Sequence, residues 1–259
     1  LRNRRCPLLQ AIREGLGDAR AQLRGLPGEA VVVLLSVPVI LTILYYFGRP
    51  DFYHANLRQY VPPHWPLQRM YGFFYFAIMC TVTRMFVPWV LMALMRRGPS
   101  QYGYAPPSRF EFAWVYGILF LLVIPFLWYA SSLSSFQHRY PFGREIIVGD
   151  AVPLWDFVVY QAFYLFVFVS GESFWRGYIL FGLYRHIGYL AIPVMVIPYV
   201  MVHFGKPWPE TFGAILTGCV LGFLAIRHRS FWLGVAVHYA AAISMDLLAI
   251  HQRGLVFTW

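Results

Sequence analysis

Apolar residues gather in seven long runs, near 30–48, 71–95, 110–130, 153–184, 188–204, 211–226 and 231–250, and the polar residues are left largely to the connections. A helix that crosses a bilayer needs about 20 mostly apolar residues, and several of these runs reach that length. The pattern predicts an all-α, polytopic transmembrane helix bundle of about seven helices. The fourth run is long enough to tilt strongly, to break, or to continue as a helix beyond the membrane, and a break would make eight. The connections from Gly48 to Met70 and from Ser131 to Val152 hold the Pro, Gly, Ser and aromatic residues of interfacial loops. No internal repeat and no second domain stand out.

Composition strengthens this picture. Of 259 residues, 59% are hydrophobic and 12% charged, and mean hydropathy is +0.55. No soluble surface can be assembled from such a chain, so its solvent is the lipid bilayer. The formal charge of +10 comes almost wholly from arginines at the ends of apolar runs, which suits membrane orientation and gives no sign of a nucleic-acid partner. Arg2, Arg4, Arg5, Arg13, Arg20 and Arg24 make residues 1–29 a basic amphipathic arm. Placing that arm in the cytoplasm also puts Arg96, Arg97, Arg109, Arg185, Arg227 and Arg229 inside, so the positive-inside rule orients the N-terminus inward. Cys6, Cys80 and Cys219 are scattered and imply neither a disulfide framework nor a zinc knuckle.

Of the ionisable residues inside apolar runs, four carry the chemistry: Glu172, Arg176, His203 and His238. A charge at membrane depth costs at least about 2.5 kcal/mol, so each needs a partner and a purpose. Arg176 is four residues beyond Glu172 on the same helical face, with acid before base, the favourable order. The bland reading is a structural ion pair. Runs four and five form an antiparallel hairpin turning near His186 to Gly188, which sets Glu172 and His203 each about 23 Å from the turn. His238 is about 14 Å from its own turn, so tilt or an unequal loop is needed to bring it level. A carboxylate and imidazoles meeting in a low-dielectric pocket can deprotonate water and stabilise the oxyanion formed at a carbonyl, the chemistry of a hydrolase with Glu172 as general base. Asp246 is a further buried acid in the last run. Arg84, in the second, is left unassigned, with snorkelling or a lipid head group as its readings. Gly218-xxx-Gly222 reads as a small-residue face for close helix approach.

Glu172-xxx-Arg176-Gly177, then Tyr199-xxx-His203, then His238 on the final helix, in that order on successive helices, resemble the motifs of the CPBP intramembrane proteases, also called Abi or CAAX-protease-like, which include the Rce1-type prenyl-protein endopeptidases. The resemblance covers about residues 150 to 250. It divides the chain into the arm 1–29, N-terminal transmembrane helices 30–150, and core helices 151–250. It implies peptide-bond hydrolysis in the membrane, with Glu172, His203 and His238 catalytic and Arg176, Tyr199, Ser244 and Asp246 supporting. The family pattern has a second glutamate where Gly171 stands, phenylalanine at Tyr199 and asparagine at Ala242. The catalytic carboxylate therefore falls to Glu172, and Ser244, Asp246 or a backbone group has to replace the lost amide. His203-Phe204-Gly205-Lys206-Pro207, followed by Glu210-Thr211-Phe212-Gly213, is similar to a bacterial subgroup with a single glutamate, some of it myxosortase-like. That implies a bacterial inner membrane and a membrane-anchored protein substrate.

Two other readings compete. Gly171-Glu172-Ser173-Phe174 fits the short Gly-x-Ser-x string of a rhomboid-like serine protease with His238 as base, but leaves Arg176 and His203 idle. A non-catalytic membrane scaffold or immunity protein would keep the polar cluster as packing. No cofactor is expected. The absence of His-Glu-xx-His argues against zinc, and a set of two histidines and one glutamate from three helices keeps it open.

Overall fold

The structure is a computed structural model and describes residues 7–25, 27–108 and 113–259. Twelve α-helices account for most of the described chain. Helix α1 (Pro7–Arg24) is the arm, followed by α2 (Gly28–Phe47), α3 (Pro50–Asn56), α4 (Tyr71–Thr81) and α5 (Val87–Leu94), the last two joined by the π-helical turn Val82–Phe86. Then come α6 (Trp114–Ser131), α7 (Ser134–Gln137), α8 (Leu154–Glu172), a second π-helical stretch Ser173–Phe181, α9 (Gly182–Ile187), α10 (Ala191–Met201), α11 (Trp208–His228) and α12 (Trp232–Gln252).

Among the described residues six helical runs are long and apolar enough to cross a membrane: Gly28–Phe47, Gln68–Leu94, Trp114–Ser131, Leu154–Met201, Trp208–His228 and Trp232–Gln252. The chain is thus a multi-pass, all-helical integral membrane protein. The fourth run is 48 residues long because it contains the expected hairpin. Gly188, at φ 57°, ψ −142°, turns the chain there with a conformation that a side chain would oppose. Helix α10 returns for only 11 residues, about 17 Å, and so falls short of a 30 Å hydrocarbon core. It packs on the second π-helical stretch and on α11.

Prolines inside α2, α6 and α10 (Pro38, Pro125, Pro198) each remove a backbone donor, which the membrane tolerates where neighbouring helices re-satisfy the freed carbonyl. Gly218 and Gly222 form the small-residue face: a Cβ on Gly218 would lie 3.0 Å from Val196 and 3.2 Å from Tyr199, and one on Gly222 3.3 Å from Met195. Close approach of α11 to α10 therefore depends on both positions. At one end of the bundle buried Glu29 of α2 gathers Tyr102 Oη (2.5 Å), Arg97 (2.9 Å), His186 (3.2 Å) and Arg185 (3.4 Å), which ties the first spanning helix to the end of α9. A two-stranded parallel ladder, β1 (Ala151–Pro153) with β2 (Val256–Thr258), joins the entrance of α8 to the chain beyond α12.

Candidate active site

Glu172 closes α8 at the point where the helix widens into its π-helical stretch, a local geometry often found at functional sites. Its side chain is fully buried. One oxygen, Oε1, accepts from Arg176 Nη1 at 2.7 Å and from His238 Nδ1 at 2.8 Å. Arg176 stays charged and makes the carboxylate its anionic partner, so His238 Nδ1 is the donor in this contact. The other carboxylate oxygen, Oε2, is buried and has no hydrogen-bond partner among the described residues. Gly234, one turn before His238, allows this approach: a Cβ there would stand 3.0 Å from Oε2. That close passage of α12 brings His238 level with Glu172, the step that helix lengths alone leave short.

Tyr199 lies at the centre of the remaining residues. Its ring receives the Arg176 guanidinium carbon at 4.5 Å from the centroid, a cation–π contact. Its ring centroid is 4.7 Å from that of His203 and 6.4 Å from that of His238. His203 sits in the turn after α10, buried, with Nδ1 2.8 Å from the Tyr199 carbonyl. A carbonyl only accepts, so Nδ1 holds the proton and Nε2 the lone pair. Burial, and then the nearby Lys206 ammonium, push the His203 imidazolium down to about 3, which keeps the ring neutral at physiological pH. The turn is fastened by Thr211 Oγ1 donating to the His203 carbonyl at 3.0 Å, Lys206 Nζ to Glu210 at 2.6 Å, and Tyr140 Oη to Glu210 Oε2 at 2.7 Å.

The structure therefore brings together Glu172, Arg176, Tyr199, His203 and His238, from the α8 and π-helical run, the end of α10, and α12. It sets Ser244 and Asp246 apart, about 9 and 12 Å further along α12. Ser244 Oγ donates to the Ala240 carbonyl of its own helix. Asp246 accepts from the Phe142 amide (2.9 Å), Tyr160 Oη (2.8 Å) and Gln161 Nε2 (3.0 Å), pinning the 142–143 loop and α8 to α12. Ser173 Oγ donates to the Ser170 carbonyl at 2.9 Å and is fully buried, while His238 is bonded to Glu172.

Arg84 does not snorkel. It is 9% exposed, in the first π-helical turn, and its Nη2 donates to the Val167 carbonyl (3.0 Å) and to Ser170 Oγ (3.2 Å). A Cβ on Gly171 would meet Arg84 Nη1 at 3.6 Å. Arg84 and Gly234 thus border Glu172 although no motif marks either. For Arg84 its depth in an apolar run was the available signal, and for Gly234 a lone glycine in such a run carries none. Among the described residues no group of three His, Cys, Asp or Glu side chains is placed to hold a metal ion.

Residues 153–244 match the family model described as type II CAAX prenyl endopeptidase Rce1-like. The matched segment opens one residue before α8, contains Glu172, Arg176, Tyr199, His203 and His238, and ends at Ser244, short of Asp246. No curated protein and no solved structure matches the chain. Over residues 153–244 this multi-pass membrane protein is therefore similar to the Rce1-like family, the type II CAAX prenyl endopeptidases of the CPBP group.

Proposed function

We propose that the protein is an intramembrane endopeptidase that cleaves a peptide bond near the bilayer in a membrane-anchored protein, using water activated by the Glu172–His238 pair with His203 beside it. The observation that carries this reading is the hydrogen bond between His238 Nδ1 and the buried Glu172 carboxylate, made inside the Rce1-like segment. Glu172 has no exposed surface, whereas the His238 side chain is 27% exposed. The carboxylate acts through the histidine: it fixes the Nδ1–H tautomer and stabilises the imidazolium that forms when Nε2 accepts a proton from water. The hydroxide so formed attacks the scissile carbonyl carbon. As the tetrahedral intermediate collapses, His238 returns the proton to the leaving amine nitrogen. Neutral His203, its Nε2 free to accept, orients the attacking water. Arg176 holds Glu172 in place and balances its charge.

The same reading places the basic arm in the cytoplasm and the protein in a bacterial inner membrane, with residues 30–150 as supporting helices. It is tested by comparing the protein termini of host membranes from wild-type cells with those from cells carrying His238→Ala. The expected result is a set of new termini close to membrane anchors in the wild type that the variant lacks. Identical termini at equal expression would count against proteolysis. The complete burial of Glu172 favours a second reading, a scaffold in which the cluster is only packing. In that case His238→Ala leaves both termini and host phenotype unchanged.

A further inference from the structure

We propose that Arg84, facing Gly171, is a carboxylate-binding residue of the site and contacts a carboxylate of the bound peptide. The proposal rests on the peptidase reading for the identity of the ligand, and on the following geometry for the site. Arg84 is buried and bonded through Nη2 alone. Its Nε is buried without a partner, its Nη1 makes no hydrogen bond, and no carboxylate lies within 4 Å, all among the described residues. A guanidinium at membrane depth is costly unless something anionic meets it. The residue lies about 24 Å from the start and 15 Å from the end of the Gln68–Leu94 run, which disfavours a lipid head group.

Gly171 sits directly opposite. A Cβ built there meets Arg84 Nη1 at 3.6 Å and Trp175 Nε1 at 3.9 Å, ordinary contact distances, so the missing side chain leaves a methyl-sized gap against the guanidinium. Charge points the same way. Glu172, Arg176 and Arg84 together carry +1, and one carboxylate brings these three to zero in a medium that penalises net charge. The planar guanidinium matches a carboxylate better than any neutral peptide group. Two sources share this chemistry, the C-terminal carboxylate of a peptide and an acidic side chain within it.

The test measures binding to the full chain carrying Glu172→Gln in lipid nanodiscs, so that it does not depend on turnover. The probes are dansyl-Leu-Leu-Leu as free acid and as C-terminal amide, and the amides of dansyl-Leu-Glu-Leu and dansyl-Leu-Gln-Leu, read by energy transfer from tryptophan. The expected result is at least roughly tenfold tighter binding of the charged member of one pair, with the pair identifying the source. Adding Arg84→Met should erase the preference. Gly171→Glu should erase it too, by setting its own carboxylate on Arg84, and should leave thermal stability equal or higher. If Arg84→Met does not fold, Gly171→Glu decides. Equal binding within both pairs, or a preference that survives Arg84→Met or Gly171→Glu, overturns the proposal. If charge preference is found but no host termini depend on His238, the carboxylate site stands and the peptidase reading falls.

Discussion

Arg176→Met is the perturbation whose cost follows most directly from the structure. The guanidinium is 1% exposed, donates to Glu172 Oε1 at 2.7 Å, lies over the Tyr199 ring at 4.5 Å and reaches the Thr217 carbonyl at 3.5 Å. Methionine approximates the stem but supplies none of these contacts. It would leave the Glu172 carboxylate buried with His238 as its one hydrogen-bond donor. Removing one partner of a buried ion pair typically costs about 3–5 kcal/mol, because the other charge is left uncompensated. The lost cation–π contact accounts for about 1–2 kcal/mol of that range when desolvated. Exchanging both partners for apolar residues is far less costly, since neither charge then remains. Arg176→Met alone is therefore expected to lower stability by about 3–5 kcal/mol, and Arg176→Met with Glu172→Met by less than the single change. Equilibrium unfolding in mixed micelles, followed by tryptophan fluorescence, measures both. A loss below about 1 kcal/mol for Arg176→Met, or a double variant worse than the single, would refute the claim that these charges are held in a low-dielectric interior.

Other outcomes follow from neighbouring contacts. Gly234→Ala forces a Cβ to 3.0 Å from Glu172 Oε2, so it should lower cleavage at least about tenfold while costing only about 1–3 kcal/mol of stability, read by parallel turnover and unfolding assays. Asp246→Ala removes the acceptor of three hydrogen bonds and should cost about 2–4 kcal/mol, with proteolytic nicking appearing in the 140–150 loop. His203, held down to about 3 in the fold against about 6.5 for a free imidazole, binds its proton more readily when unfolded. Its contribution is present above about pH 6.5 and is lost as pH falls toward 3. His203→Gln should therefore flatten the decline of unfolding temperature between those values, and an unchanged slope would contradict the assignment.

Depth and spacing already marked most of the cluster in the sequence. Glu172 with Arg176 four residues on, and the hairpin turning at Gly188, follow from the apolar runs and the helical period. The Glu172–His238 contact does not, because it depends on how closely α12 passes, and that is set by one glycine and by a widened helix that no local preference announces. Asp246 shows the converse. A buried acid in the last run reads as part of the chemistry, yet its acceptor positions are filled by loop and helix donors, a pairing created by the path of residues 140–146. The three-residue ladder of β1 with β2 is too short to leave an alternating pattern. Arg84 was visible as a charge at depth, but its orientation toward Gly171 is set by the packing of α4 and its π-helical turn against α8.

The central claim, that the Glu172 carboxylate works through His238 to activate water, is tested most directly by Glu172→Gln. Glutamine keeps the shape of the side chain and can still accept through its oxygen from Arg176 or His238, but it cannot stabilise an imidazolium as an anion does. The protein is expected to remain folded, at a cost of about 1–3 kcal/mol, while cleavage of a substrate found in the host-membrane comparison falls by at least about a thousandfold. Folded Glu172→Gln protein that cleaves at the wild-type rate would contradict the account.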